Sequence, residues 1–186
     1  MLKVFAQVVS GLPMADYLLA LDQSTATTGY AIFQDGKLLT VGHVSPTGGS
    51  HIVRIVKLRK WLKNIISTLD GNIEVAIEDI QLQQYEPNGG RKQSRDMGVT
   101  TYKKLAHVQG VLMCLLEDKG IKYHVVSPAS WKSACGIGGR YRDDQKARAQ
   151  EFAKVTYGLT PTQDEADAVC IGHYILKNSS VDHDWS

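Results

Sequence analysis

The chain has 186 residues, of which 43% are hydrophobic and 22% are charged, a composition typical of one globular domain with a substantial core. Its 21 Lys and Arg residues against 19 Asp and Glu give a formal net charge of +2, which excludes a simple polycation that binds nucleic acid indiscriminately. No apolar run approaches the roughly 18 residues of a transmembrane helix, so the sequence predicts no membrane span.

The composition along the chain indicates one domain with short ends. We interpret residues 1–14 as a dispensable extension, 15–177 as the domain and 178–186 as a flexible C-terminal tail. The three cysteines have unrelated spacings, and Cys114 and Cys170 fall in apolar helical patterns. We therefore expect both to be buried, with no disulfide or metal role, in a reduced, cytoplasmic protein.

Short alternating or β-branched runs predict five strands. The predicted strands cover 17–22, 29–33, 36–44, 73–78 and 121–126. The first three follow one another through short turns, one of them Asp35-Gly36, which indicates an antiparallel meander. The fourth has the sequence IEVAIE and is expected to be buried on both faces of the sheet.

Apolar residues at helical spacing predict the helices between and after these strands. The predicted helices cover 51–69, 101–118, 128–134, 143–156 and 162–177. Ser127 and Pro128 supply the N-cap and first residue of the short third helix, whereas the polar segment 81–98 is predicted to be a loop. This order indicates an α/β fold with a mixed sheet, three antiparallel strands and then parallel ones, flanked by helices.

Four acidic residues stand at the ends of these elements. Asp22 ends the first strand, Glu78 ends the fourth, and Asp164 and Asp167 lie near the start of the last helix. Taken singly, each has an ordinary explanation, such as an acid that begins a turn or a helix. Gathered at one edge of a sheet, the four would repel one another unless a divalent cation neutralised them. Carboxylates suit Mg²⁺ or Mn²⁺, and two such ions support phosphodiester hydrolysis.

Four segments, in this order and spacing, resemble the motifs of the RuvC family of Holliday-junction resolvases. They are LALDQSTATTGYAIF, VAIEDIQ, VSPASWKSACG and DEADAVCIGHY, and the resemblance covers about residues 17–176. It implies an RNase H-like fold with five strands, a homodimer with no small-molecule cofactor, and a role in DNA recombination and repair. It also implies a Mg²⁺-dependent endonuclease that cuts branched DNA, four-way junctions above all, with two ions per active site, Mn²⁺ as a substitute and 5′-phosphate products.

The resemblance also assigns residues. The positions that match the family's metal-binding catalytic acids are Asp22, Glu78, Asp164 and Asp167, and those that match its two catalytic lysines are Lys132 and Lys146. After Glu78 the chain lacks the aromatic residue that many bacterial members place at the junction centre, and Tyr85 is the candidate replacement. This departure and the loop at 87–90 resemble a phage-type variant, which would act in the cytoplasm of a bacterial host.

Basic residues form three groups that we interpret as contacts to the DNA backbone. For the first group, which contains no acid, a solvated helix face is the alternative interpretation. The second lies in and after the polar loop, and the third precedes and opens the helix at 143–156. The predicted DNA contacts are Arg54, Lys57, Lys60, Arg91, Lys92, Arg95, Lys103, Lys104, Arg140, Arg142 and Tyr85.

Other functions are compatible with part of the pattern. The four acids also suit an RNase H-like nuclease that acts on RNA, of the YqgF type. The first motif resembles the phosphate loop of actin- and hexokinase-type ATP-binding proteins as well, but 186 residues leave no room for their second lobe. A catalytically inert DNA-binding relative would have no need of all four acids.

Overall fold

The computed structural model describes residues 15–81, 95–139 and 141–179. Five strands form one sheet, and each predicted strand is present with ends that differ by at most two residues. The strands are β1 (Ala15–Asp22), β2 (Thr28–Gln34), β3 (Lys37–Val44), β4 (Gly71–Glu78) and β5 (Lys122–Val126). Their order across the sheet is β3-β2-β1-β4-β5.

The sheet is mixed, as predicted. The first three strands pair antiparallel in the expected meander. β4 runs parallel to β1 on one side and to β5 on the other, and its residues Val75, Ala76 and Ile77 are fully buried. Because β1 and β4 are parallel neighbours, their carboxyl ends lie at the same edge of the sheet.

Helices cover both faces of this sheet. Those in the described ranges are α1 (His51–Thr68), α2 (Arg95–Asp118), α3 (Pro128–Ala134), α4 (Arg142–Tyr157) and α5 (Gln163–Ser179). α3 has the predicted cap, with Pro128 in its first turn and the Ser127 hydroxyl accepting a bond from the Ala129 N–H at 3.3 Å.

Two helices extend by two or more residues past a predicted end, whereas α4 gains one residue at each end. α2 begins at Arg95, inside the segment predicted to be a loop, and its residues 98–101 are exposed. An exposed helical turn buries no apolar side chains, so it leaves no helical periodicity in the sequence. α5 continues through Ser179, so the first two residues of the predicted tail are helical. No Gly or Pro stands there to end the helix.

The two faces of the sheet carry separate hydrophobic cores. On one face α3, α4 and α5 pack over strand residues that include Ala20, Ala31 and Ala76. On the opposite face α1 and α2 pack over Leu, Ile and Val side chains of the same strands. The alternation of side chains along each strand therefore places three alanines under α5 at the middle of the sheet, and large aliphatic residues at the neighbouring positions under α1 and α2.

Helix α5 lies unusually close to the sheet. Ala20 pairs with Ala31 on one side and with Ala76 on the other, so a row of three alanines crosses β2, β1 and β4. Two glycines allow the same close approach, one on β2 and one on α5. A Cβ on Gly29 would collide with the backbone carbonyl of Asp164, and a Cβ on Gly172 would collide with the Phe33 ring. The first turn of α5 can thus approach the ends of β1 and β2 directly.

Two of the three cysteines are buried and one is exposed. Cys170 is buried as expected, and Cys135 is buried as well, but Cys114 is exposed, so its predicted burial was wrong. Successive residues of a helix are rotated by about 100°, which places Cys114 well away from the buried Leu112. Within the described ranges, no helix has the length and apolar character needed to cross a membrane.

Candidate active site

An open pocket of about 660 Å³ lies at the carboxyl ends of β1 and β4. The four acids singled out from the sequence, Asp22, Glu78, Asp164 and Asp167, all line it. The two predicted lysines line it too, together with Gln23, Asp79, Trp131, Arg142 and Gln145. The sheet and three helices thus bring side chains from distant parts of the chain to one place.

The strands position the first two acids. Asp22 is the last residue of β1 and pairs with Gly29 of β2. Glu78 is the last residue of β4 and pairs with Val126 of β5. Both carboxylates therefore project from the same sheet edge, where the backbone has no further strand to continue.

Helix α5 supplies the other two acids, and several bonds hold its first turn. The Thr162 N–H donates to Glu165 Oε2 at 2.8 Å, and the Glu165 N–H donates to Thr162 Oγ1 at 3.4 Å, which is a capping box. Glu165 Oε1 also lies 2.8 Å from His43 Nδ1 on β3. This frame, with the close packing on Gly29, places Asp164 and Asp167 over the strand ends.

Two residues that sequence reasoning did not assign to the site contact Glu78. The side-chain amide of Gln23 bonds both backbone groups of Glu78, accepting from its N–H at 2.9 Å and donating to its carbonyl at 2.5 Å. The Trp131 indole N–H donates to Glu78 Oε1 at 3.0 Å. The Trp131 ring is buried in the core, and its one polar atom faces the pocket.

Burial and mutual repulsion raise the pKa of three of the acids. The pKa of Asp22 lies well above its usual range because the carboxyl is desolvated and because Glu78, Asp167 and Asp164 repel its charge. Burial likewise raises the pKa of Glu78, against the opposing effects of the Trp131 hydrogen bond and of Lys132. Burial, followed by repulsion from Glu78, raises the pKa of Asp167 to about 7. The ionised forms of these acids are therefore destabilised in the pocket.

The two lysines are held by neutral partners. Lys132 Nζ donates to Gln145 Oε1 at 3.1 Å, and Lys146 Nζ donates to Gln163 Oε1 at 2.5 Å. Both ammonium groups lower the pKa of Asp167, so they act on the acids through space. Lys132 also lies 5.2 Å from the centre of the Trp131 ring, which is within range of a cation–π contact.

Arg142 belongs to the pocket as well. The sequence placed it among the DNA contacts, and the structure puts it in the pocket lining. Its guanidinium opposes the rise in the pKa of both Asp22 and Glu78. Its position at the start of α4, after the glycine-rich segment 136–139, carried no sequence signal for that proximity.

The donor chemistry of the pocket fits a divalent metal ion. Four carboxylates converge on one pocket, and repulsion among them would fall if a cation bound between them. Within the described ranges, however, no three Asp, Glu, His or Cys side chains are close enough to form a ready-made ligand set.

The remaining basic residues are distributed over exposed helix surfaces. Lys57, Lys60, Lys103 and Lys104 are exposed, and Arg54 is partly buried. Lys57 Nζ donates to the Thr47 carbonyl at 2.6 Å. Tyr85, Arg91, Lys92 and Arg140 lie outside the described residues, as does the side chain of Arg95.

Near Arg54 a pair of histidines joins α1 to α2, and the sequence did not indicate it. His51 Nε2 and His107 Nδ1 are 3.4 Å apart. Burial and the neighbouring His107, Lys104 and Arg54 lower the pKa of His51.

The loop that precedes α1 contacts the pocket lining, because Thr27 Oγ1 lies 3.0 Å from Ser45 Oγ and Thr27 lines the pocket. The start of α1, with Arg54, therefore lies at the same end of the sheet as the acids.

Two solved structures share the architecture over nearly the whole chain. Thermus thermophilus RuvC in complex with Holliday junction substrate has a TM-score of 0.64 at 14% sequence identity, covering 88% of this chain and 96% of that chain. The structure of Thermus thermophilus RuvC has a TM-score of 0.62 at 15% identity, covering 89% and 96%. No protein-family model matches the chain, and no curated protein matches it. The chain therefore has a RuvC-like, RNase H-like fold.

Proposed function

We propose that this chain is a divalent-metal-dependent endonuclease that cuts branched DNA, with four-way junctions as its principal substrate. The observation that carries the proposal is the pocket itself, in which four carboxylates and two lysines meet at one sheet edge. The RuvC-like fold supports it, since one of the solved structures that share it is a RuvC in complex with Holliday junction substrate.

Asp22, Glu78, Asp164 and Asp167 would hold two Mg²⁺ ions, with Mn²⁺ as a substitute. When bound, such ions supply the charge that makes a water molecule nucleophilic at neutral pH and that stabilises a leaving oxygen. Asp22 is repelled by the other three acids, so a cation bound among the four would stabilise the charged form of Asp22 most. The expected products carry 5′-phosphate ends.

Three cations of the pocket would act on the scissile phosphate. Lys132 and Lys146 enter from α3 and α4 and are hydrogen-bonded to amides rather than to acids, so their full charge is available to a phosphate oxygen. Arg142 is exposed at the pocket and would contact the backbone beside the cleaved bond. Stabilisation of developing negative charge by such fixed cations is a large term in phosphoryl-transfer catalysis.

The wider basic surface would position the junction. Lysines of α1 and α2, with the basic residues predicted around 91–95 and at Arg140, would contact backbone phosphates and read little sequence. We propose that two copies of the chain act together, one on each of two symmetric strands. We further propose that the chain is a phage-type variant that works in the cytoplasm of a bacterial host.

One assay tests reaction class and substrate together. End-labelled four-way, three-way and flap DNA, and a structured RNA of similar size, are incubated with the protein over a series of Mg²⁺ and Mn²⁺ concentrations. We expect metal-dependent cutting of the four-way DNA with 5′-phosphate ends, and none by the Asp22→Asn variant. Preferential cutting of the RNA would instead identify a nuclease of the YqgF type. Absence of cutting at every metal concentration would contradict the proposal.

A further inference from the structure

Gln23 occupies a special position at the end of the ladder between β1 and β4. The last backbone pair of this ladder is Leu21 with Ile77. One residue further along β4, a side chain replaces the backbone of β1 as the hydrogen-bonding partner. The oxygen and the nitrogen of the Gln23 amide bond the backbone N–H and the carbonyl of Glu78. Gln23 is only 4% exposed, so these bonds form away from water.

This arrangement lets the two strands stop pairing without leaving the peptide groups of Glu78 unbonded. A partly buried backbone group that loses its partner destabilises the fold, so the Gln23 amide stabilises the end of β4 where the strand enters the pocket. The backbone of Glu78 is thereby fixed on the side that faces Asp22.

Trp131 fixes the other end of Glu78. Its indole N–H donates to Oε1 of the carboxylate, and its ring is 1% exposed in the core under α3. A buried ring has little freedom to rotate, so the direction of this hydrogen bond is set by the packing. Oε1 thus accepts a hydrogen bond that fixes the orientation of the carboxylate, and both oxygens keep lone pairs for a cation.

From these contacts we propose that Gln23 and Trp131 are positioning residues that together orient Glu78 as a metal ligand. The inference rests on the proposed function, and it names the residues that orient one ligand of that site. Both partners are neutral, so they orient Glu78 without cancelling the charge that attracts the metal. Residues that hydrogen-bond a metal ligand and orient it, without contacting the metal, commonly control metal affinity.

The test uses the full chain and measures metal binding separately from cleavage. Gln23→Met keeps the length of the side chain and removes both hydrogen bonds, and Trp131→Phe keeps a ring and removes the N–H. Gln109→Met and Trp61→Phe are the matched controls, because Gln109 is also a buried glutamine and Trp61 packs on Tyr30 across the sheet. The probe is Mn²⁺, titrated calorimetrically into each variant without DNA.

We expect each of the two pocket variants to raise the dissociation constant for Mn²⁺ by roughly 10-fold or more, and the controls to stay within about twofold. The metal concentration for half-maximal junction cleavage should rise in parallel, while much of the rate returns at saturating metal. Junction affinity should not change. If Gln23→Met fails to fold, Gln23→Asn is used, because its shorter amide cannot span both backbone groups.

The outcomes separate this inference from the proposed function. Unchanged Mn²⁺ affinity in folded pocket variants overturns the positioning role, whatever the cleavage rates are. Weakened Mn²⁺ binding in both variants supports the role even if the wild type cuts no junction, a result that would overturn only the proposed function. A wild type that binds no Mn²⁺ overturns both.

Discussion

The two faces of the sheet are built from the same strands but differ in the row of side chains at the middle of β1, β2 and β4. Ala20, Ala31 and Ala76 form this row under α5, whereas one residue along, Leu19, Ile32 and Val75 face α1 and α2. The first face carries the acid pocket at its edge. The second face carries branched aliphatic side chains where the first carries alanines.

Small residues in this row let α5 approach closely enough for its first turn to reach the ends of β1 and β4. Both faces are nevertheless well packed, because the α5 face also buries Leu18, Phe33 and Trp131. The row of small residues therefore positions the acids, whereas both cores stabilise the sheet that carries them. We expect chemistry and stability to respond to different substitutions.

The largest effect on chemistry is expected from Asp22→Asn. Cleavage of a four-way junction should fall by at least roughly 100-fold, since one ligand of the metal site is lost. The melting temperature should not fall, because the substitution removes a buried charge repelled by three neighbours. Junction affinity in a gel-shift assay should be retained. A variant that loses binding together with cleavage would contradict the role of Asp22.

The largest effect on stability is expected from Leu62→Ala on the opposite face. Leu62 is completely buried in the core between α1 and the sheet, so truncation should lower the free energy of unfolding by about 2–5 kcal/mol. Urea denaturation measures this loss. The cleavage rate well below the melting temperature should stay within about twofold of wild type, and a large drop would show that the faces are not independent.

An intermediate effect is expected from Gly29→Ala, which affects both proximity and packing. The added methyl group would collide with the carbonyl of Asp164, so α5 must shift. We expect a loss of about 1–3 kcal/mol in the free energy of unfolding and a reduction in cleavage of roughly tenfold or more.

The control for this change is Gly110→Ala in α2. A Cβ there meets no neighbouring atom, so replacement of a helical glycine should raise stability by roughly 0.5–1 kcal/mol. Its cleavage should be unchanged. Equal loss of activity in both glycine variants would contradict the close-approach argument.

The smallest effect concerns pH at the far end of the α5 face. Burial raises the pKa of Tyr157 to about 12, and its hydroxyl lies 2.8 Å from His173 Nδ1. Since the folded pKa exceeds the ordinary value of about 10, the stabilisation is complete below pH 10 and is lost as the pH rises toward 12. Stability measured over this range should fall less steeply in Tyr157→Phe. Parallel curves for both proteins would contradict the shift.

Much of the fold could be predicted from the sequence because its signals are local. The β-branched run at 73–78 and the meander turns indicate strands whatever lies across from them. The start of α2 could not be predicted, because the exposed residues 98–101 leave no periodic pattern. Cys114 was misplaced for a related reason, since an apolar helix segment shows which residues are hydrophobic more clearly than which side faces solvent.

The site was predictable in its acids and less so in the residues that hold them. Asp22, Glu78, Asp164 and Asp167 were singled out by motif resemblance and by their place at element ends. The contacts of Gln23 and Trp131 with Glu78 depend on where β1 stops pairing with β4 and on how α3 packs. Neither the end of the β1–β4 pairing nor the packing of α3 can be predicted from residue spacing, because both depend on tertiary structure.

Lys132 and Lys146 are hydrogen-bonded to neutral amides rather than to acids. Gln145 and Lys146 are adjacent on α4, and they link α3 to α5 through Lys132 and Gln163. A hydrogen bond to a charged group contributes about 1.5–3 kcal/mol, and breaking these two bonds separates no ion pair. In the proposed endonuclease, a DNA phosphate would therefore take the place of the amide at each lysine, and the amide would be available to the lysine again once the product leaves.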